Sequence, residues 1–437
     1  MAFLLHGVHT PHRKHTAGRA ALRMEPPKSV TIPMAMHIGK PAIPAVKVGD
    51  TVKVGTLIAE QDGFISSPVY ATVSGKVTKI SEVLLAGGSR CPAITIASDG
   101  EMTPEETLVP PHVDSKESLV EAIRRSGVVG LGGAGFPTYV KFNVDPDKVD
   151  VLVVNGAECE PYITSDSYTM EHRREDIACA LAALEQHLTL KRVVFGIESN
   201  KKASIESIQA LAEKDPCICV KVLPPVYPQG GEKVLVYHTT GRRIPMGKLP
   251  LDVGCIVCNC TTLAAIGAYL RTGMPLVEKC VTVDGGAVAE PQNIIVPIGT
   301  AVEDVLQAAG GLREEPYKLL YGGPMMGITM PDASSPILKN TNAILALTEK
   351  ETRIPKTTAC IRCGSCTNAC PFGINPANIA RAFAKGDVER LETLGTNLCM
   401  ECGCCSFICP ANRPLVQTNK LAKGLIREAK AKEAKKQ

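Results

Sequence analysis

Near the C-terminus of this 437-residue chain one cysteine run occurs twice: Cys360, Cys363, Cys366 and Cys370 precede Pro371, and Cys399, Cys402, Cys405 and Cys409 precede Pro410. Both read C-x2-C-x2-C-x3-C-P. Two-residue gaps let a tight turn wrap three thiolates about one face of a small inorganic object, and the fourth cysteine of such a run usually reaches the neighbouring one. The pattern predicts two [4Fe-4S] clusters, one on Cys360, Cys363, Cys366 and Cys409, the other on Cys399, Cys402, Cys405 and Cys370. Structural zinc competes for cysteines, but it takes four ligands per site and has no need of the Cys-Pro ending. Cys404 interrupts the second run as an alternative to Cys405, which the spacing favours. Between the runs, Asn375 to Ala384 and Asp387 to Leu394 read as capped helices with no strand pattern nearby, so an all-helical ferredoxin module is expected.

The stretch Met1 to His6 has too few apolar residues for a secretory signal. This points to the cytoplasm, where thiols stay reduced and the eighteen cysteines are not a disulfide framework. With 48 basic against 44 acidic side chains the net charge is only +4, which gives no argument for nucleic acid. Lys420 to Gln437 holds seven Lys or Arg and two Glu, a basic tail that either frays into solvent or meets an anionic surface or acidic partner. The most apolar uncharged stretch, Gly254 to Leu270, is too short to span a bilayer and reads as buried core.

A glycine-rich loop, Gly130-Leu-Gly132-Gly133-Ala134-Gly135-Phe136-Pro137-Thr138, follows a short apolar run. A dinucleotide-binding βαβ unit needs a crossover helix of about a dozen residues or more. Only Thr138 to Asn143 can be helical before Asp145-Pro146-Asp147 stops it, so the ordinary fingerprint fits poorly. What remains is the ability of glycines to bring backbone N–H groups close to a phosphate or a flat ring, with Lys141 placed to neutralise charge. The apolar run Val151 to Val154 ends in Asn155-Gly-Ala-Glu158-Cys-Glu160-Pro161, and polar clusters at strand C-termini are where open α/β sheets bind ligands. Arg192 to Glu198 reads as a neighbouring buried strand, with a helix from Asp176 to His187 between them.

Together with Tyr227-Pro-Gln-Gly230-Gly231-Glu232, these segments resemble the flavoprotein subunit of respiratory complex I. The Gly7-Val8-His9 arm and the second cluster motif make the whole chain more similar still to the C-subunit family of Rnf complexes. The resemblance implies a non-covalent FMN pocket lined by Gly132, Gly133, Gly135, Lys141, Asn155, Glu158, Asp166, Gly231, Glu232, Asn259, Thr261 and Thr262. It also implies NAD(H) as substrate, with Phe136, Glu160 and Glu232 facing the nicotinamide nucleotide. The expected role is a peripheral NADH-linked oxidoreductase subunit at the cytoplasmic face of the cell membrane. Its expected partners are membrane and peripheral Rnf subunits, including an iron-sulfur subunit, and ferredoxin through the complex. The chain departs from the complex I pattern at Gly231, where that family has an acidic residue, and at Cys258-Asn259-Cys260, where it has consecutive asparagines. The alternatives are a soluble flavoprotein of a hydrogenase or formate dehydrogenase assembly, and a non-enzymatic iron-sulfur relay scaffold.

Between Pro41 and Ile80, short β runs alternate with Gly-Asp and Ser-Gly turns, a pattern similar to lipoyl and biotinyl carrier domains. Gly63 stands where such domains carry their modified lysine, so no attached group is expected. Cys280 to Gly286 and Asn293 to Ile298 predict a hairpin, and Ala301 to Ala309 a helix; this resembles a soluble-ligand-binding β-grasp module. Tyr321 to Gly327 reads as a close-approach loop whose Met325-Met326 pair fills core. His6, His9, His12 and His15 invite a metal reading, but Pro11 breaks any regular helix, which favours a mobile or docking arm. The expected organisation is multidomain. It comprises an arm and lipoyl-like β sandwich (1–115), a Rossmann-like α/β FMN/NADH domain (116–270), a β-grasp module (271–345), the helical two-cluster ferredoxin module (346–420) and a basic tail (421–437).

Overall fold

The structure, a computed structural model, describes residues 6–434, so Met1 to Leu5 of the stretch weighed as a signal lie outside it. The central module is an open sheet of four parallel strands in the order Ile218–Leu223, Arg192–Glu198, Val151–Gly156, Cys255–Asn259. Helices cover the sheet, and its central strands are correspondingly buried runs of Val, Ile and Phe. From Val151–Gly156 the chain moves outward through two strands on one side and then returns to place Cys255–Asn259 on the other. That reversal opens a crevice at the C-terminal ends of these two neighbours, where Asn155 and Asn259 lie in register. Thr138–Phe142 is a five-residue helix with Asn143 as its C-cap, as the following Asp-Pro-Asp demands. The apolar Gly254 to Leu270 stretch is divided between the Cys255–Asn259 strand and the Cys260–Thr272 helix, both core elements.

The N-terminal module packs a four-stranded antiparallel sheet (Ser29–Pro33, Arg90–Ser98, Gly75–Leu84, Thr51–Val52) against a three-stranded one (Ile43–Pro44, Leu57–Glu60, Val69–Tyr70). Val30, Ile32, Ile58, Val69, Val77, Ile94 and Ile96 form the core between them. Gly63 sits on an exposed turn with φ +81°.

The β-grasp module is built on the expected hairpin, Glu278–Asp284 with Gln292–Pro297, and the helix Val302–Ala308. Its six-stranded sheet also recruits Leu22–Arg23 from the N-terminal arm, parallel to Gln292–Pro297. The arm is therefore a docked strap. His6 donates to the Asn368 carbonyl of the ferredoxin module, Val8 bridges Tyr227, and His15 meets the buried Asp284 at 3.0 Å. Position 7 must be glycine for this path, because a Cβ there would lie 2.3 Å from the Tyr227 carbonyl oxygen.

Among the described residues from Glu349 onward every regular element is a helix. Asn375 accepts from the Asn378 N–H and Asp387 from the Arg390 N–H, so both expected helices start on side-chain caps. Instead of fraying, the basic tail continues a twenty-residue helix, Leu415–Ala434, whose Leu415, Val416, Asn419, Ala422 and Ile426 pack onto the module. Lys420 in its first half and Lys430 and Lys432 in its second are exposed. Among the described residues no helix is long and apolar enough to cross a membrane.

Candidate functional site

At the crevice, Asn259 caps the Cys260–Thr272 helix by accepting from the Thr261 and Thr262 N–H groups. Its amide donates to Asp166 at 2.7 Å, and Asp166 also accepts from the Thr261 hydroxyl at 2.6 Å. Asn155 donates to the Gly230 carbonyl and so ties the first strand to the Tyr227 to Glu232 loop. Lys141 donates to the Val257 carbonyl and lies 3.7 Å from the Glu232 carboxylate. Sequence segments spread from residue 132 to residue 262 thus meet on one rim.

The glycine loop enters that rim with its carbonyls held from behind. Buried Lys279 donates to Leu131 O, Asn340 to Gly133 O and the Ile38 N–H to Gly135 O, while Leu131 N–H is taken by Thr262. Among the described residues the N–H groups of Gly132, Gly133 and Ala134 have no hydrogen-bond partner, and all three residues are exposed. A Cβ at Gly133 would meet open space. An exposed cradle of unpaired N–H groups fits a phosphate or the polar edge of a flat ring. Lys279 and Asn340 come from the β-grasp side of the chain and carry no local sequence signal.

The carboxylates behave differently from one another. Glu158, at φ +45°, is buried and accepts from Asp166 N–H and from the Ser167 N–H and hydroxyl, so it caps the Ser165–His172 helix. Burial pushes its pKa up. Glu160 accepts from the Met325 and Met326 N–H groups at 3.0 and 2.9 Å, and a Cβ on Gly323 would lie 2.2 Å from its carboxylate. The Tyr321 to Gly327 loop is thus wrapped on Glu160 by its methionine backbone; of the pair expected to fill core, Met325 does so and Met326 is exposed. Burial raises the Glu160 pKa to about 7, against the two backbone donors and Lys14, which lower it. Because the folded value lies above the unfolded value near 4.5, this contribution to stability is complete below about pH 4.5 and is lost as pH rises through about 7. Thermal unfolding followed from pH 4.5 to 8 is expected to show the native chain losing on the order of 3 kcal/mol relative to Glu160→Gln. Parallel curves for the two proteins would reject the assignment.

The second cysteine run packs directly on this rim. Tyr227, fully buried, donates its hydroxyl to the Cys402 carbonyl at 2.7 Å and accepts the Cys404 thiol on its own carbonyl. Cys159, Met325 and Met400 fill the space around Tyr227, Cys402 and Cys404. Gly231 is explained here: a Cβ would lie 2.3 Å from the Met400 methyl, so the position where complex I proteins carry an acidic residue is emptied to seat the cluster loop.

Two cavities in the ferredoxin module gather the cysteines. One is lined by Cys360, Cys363, Cys366 and Cys409 with Arg362, Arg381 and Arg413, and Cys360 and Cys363 are exposed. The other is lined by Cys370, Cys399, Cys402, Cys404 and Cys405, of which all but Cys399 are buried. Among the described residues no three His, Cys, Asp or Glu side chains converge on a point that would hold one metal ion. Thiols ranged around a space suit a multi-atom cluster, whose sulfur ligands stand further apart than the four on a single zinc. A separate cavity of about 380 Å³, lined by Lys14, Arg19, Tyr168 and Lys202, shares only Glu158 with the expected flavin-pocket residues.

Comparison with known proteins gives each module a counterpart. Residues 3–101 match the RnfC barrel sandwich hybrid domain, 123–268 the Nuo51 FMN-binding domain, 280–329 the SLBB domain and 359–413 a 4Fe-4S dicluster domain. The solved NAD+-reducing [NiFe]-hydrogenase in its air-oxidized state covers 72% of this chain at 18% identity and TM-score 0.50, a likeness of fold alone; the chain spans 61% of that protein. The C subunit of the Na(+)-translocating ferredoxin:NAD(+) oxidoreductase complex of Acetobacterium woodii is 40% identical over 423 residues, 95% of either chain. Its proton-translocating counterpart from Clostridium ljungdahlii is 41% identical over 86% of this chain and 83% of its own. The C subunit of the ion-translocating oxidoreductase complex of Rhodobacter capsulatus is 40% identical over 98% of this chain and 83% of its own. With a shared sequence that runs through all four modules, the chain belongs to the C-subunit family of Rnf ion-translocating oxidoreductase complexes.

Proposed function

We infer that this chain is the NAD(H)-linked electron-transfer subunit of an Rnf-type ferredoxin:NAD oxidoreductase complex coupled to ion transport. The observation that carries this reading is the packed bridge from the crevice rim through Tyr227 and Met400 to Cys402. FMN, when bound, converts between the two-electron hydride of NAD(H) and the single electrons that [4Fe-4S] clusters carry. The chain's own residues hold and orient. The Gly132 to Ala134 N–H groups and Lys141 offer positive potential, Asp166 and Asn259 fix the crevice floor, and Glu232, 3.7 Å from Lys141, would face the nicotinamide together with Phe136. Glu160, held by the Met325 and Met326 N–H groups, shapes the rim from behind.

For the clusters we assign Cys360, Cys363, Cys366 and Cys409 to one and Cys370, Cys399, Cys402 and Cys405 to the other, in line with the two cavity linings. The buried set adjoins the flavin rim and the exposed set faces solvent. We propose module boundaries near 115, 270 and 345, with the basic tail from 421 joined to the ferredoxin module through the Leu415–Ala434 helix, and place the chain peripherally at the cytoplasmic face of the membrane. Partner subunits would then provide the anchorage that no described helix does.

An anaerobic NADH titration of the FMN-supplemented chain, read by visible absorbance and low-temperature EPR, tests the function. Flavin bleaching followed by reduced-cluster signals is expected. Clusters that respond to dithionite in a chain that binds no flavin would favour the relay scaffold. Lys141→Ala is expected to weaken FMN retention with iron content unchanged, because it removes the ammonium that the short Thr138–Phe142 helix brings to the rim; undiminished flavin after gel filtration would remove Lys141 from the pocket.

A further inference from the structure

The two cysteine runs belong to a longer internal repeat. Arg362 and Glu401 occupy equivalent places with φ +57° and +62°, and Gly364 and Gly403 follow with φ +79° and +83°. Each fourth cysteine is then followed, at the same step along the chain, by a helix: Pro376–Ala384 in the first half and Leu415–Ala434 in the second. In this register Ala380 and Asn419 are equivalent. Ala380 is partly buried against the Cys405, Leu415 and Val416 cluster, on which Cys366 and Cys409 also pack. Asn419 is 1% exposed, lines the cavity of the Cys370 set, and donates from Nδ2 to Cys399 Sγ at 3.4 Å. One helical turn on, Lys423 donates to the Cys399 carbonyl at 3.1 Å and fixes the sulfur opposite that amide.

The amide is an unusual choice for this position. Its Oδ1 is buried with no partner among the described residues, a condition that costs stability because a desolvated acceptor is left unpaired. An alanine, as in the first half, avoids that penalty. What Asn419 adds is an N–H donor on a thiolate sulfur. Adding an electron to a cluster, with no bond made or broken, increases the negative charge shared with its thiolates, and a donor to sulfur stabilises the reduced form more than the oxidised one. Burial acts the other way, since a low-dielectric site disfavours extra charge, and the Cys370 set is the more buried of the two.

We propose that Asn419 is a positioning residue acting through Cys399 Sγ, which raises the reduction potential of the buried flavin-side cluster and offsets its burial, while Ala380 leaves the solvent-side cluster without such a donor. This rests on the cluster assignment above. The test is an EPR-monitored redox titration of the full-length, FMN-supplemented chain as wild type, Asn419→Leu and Ala380→Asn, with iron and sulfide assayed in each. The two couples are identified by which one Cys402→Ser alters. Asn419→Leu is expected to keep its iron and to shift only the flavin-side couple downward by a factor of roughly ten in its reduction equilibrium, about 59 mV for one electron. Ala380→Asn is expected to move only the solvent-side couple, upward. Full iron with both midpoints unmoved in Asn419→Leu, or equal shifts of both couples, overturns the proposal. Should Asn419→Leu lose iron, an unmoved solvent-side couple in Ala380→Asn overturns it instead. A wild-type chain that takes up no cluster defeats the proposed function itself, and this inference with it.

Discussion

The chain with Cys370 replaced by serine is expected to bleach its flavin with NADH and pass nothing onward, whereas Cys409→Ser is expected to keep one NADH-reducible cluster and lose only the exit. Cys370 lies in the first run but lines the cavity of Cys399, Cys402 and Cys405, and Cys409 lines that of Cys360, Cys363 and Cys366. The buried cavity touches the flavin rim through Tyr227 and Met400, so damage there interrupts transfer at its first step. Damage at the exposed cavity leaves that step intact. Reduction of a soluble one-electron acceptor is expected to fall to background in Cys370→Ser. Freeze-quenched EPR after NADH addition separates the cases, with one reduced-cluster signal in Cys409→Ser and none in Cys370→Ser. The reverse pattern would mean that each run ligates its own cluster, because serine at position 370 would then strike the solvent-side set.

What the sequence revealed and concealed divides along range of contact. The cluster runs, the caps at Asn375 and Asp387 and the truncated helix at Thr138 rest on residues a few positions apart, where spacing and propensity act directly. One wall of the crevice was legible for a related reason, since the polar residues after Val151 to Val154 mark a strand C-terminus; the other wall, Cys255–Asn259, lay inside a stretch that reads only as buried core, and the parallel register that aligns Asn259 with Asn155 is a long-range contact. The strap was not. Leu22–Arg23 is a two-residue strand whose partner lies at Ile294 and Ile295, and no alternation can be read from two residues. The Met325 and Met326 N–H groups on Glu160 are backbone contacts across modules, to which the side chains give no clue. Asn419 hid in a helix whose lysines drew attention to its surface, and only the repeat that aligns it with Ala380 would have marked it.

Lys14→Met is expected to release the flavin loop from the arm and cost the chain much of its FMN. An ammonium has three donors and no acceptor. Lys14 uses them on the carbonyls of Glu158, Glu160 and Ile163, so one arm residue gathers the whole turn that follows Asn155. Burial lowers its pKa, an effect that the neighbouring Glu158 carboxylate opposes. Methionine keeps the stem but leaves three carbonyls without their donor, at about 1–3 kcal/mol for each that stays dry. The adjoining cavity, which Lys14 helps line, can admit water to part of the turn. The expected net loss is therefore on the order of 3–6 kcal/mol, concentrated in the turn. Arginine is not expected to rescue it, because a planar guanidinium fork cannot address three carbonyls converging on one point. Hydrogen exchange at Ala157 to Thr164 is the direct measurement, with flavin content as the functional one. Faster exchange and loss of FMN in both variants would establish the arm as part of the flavin site; unchanged exchange in Lys14→Met would reduce it to a surface strap.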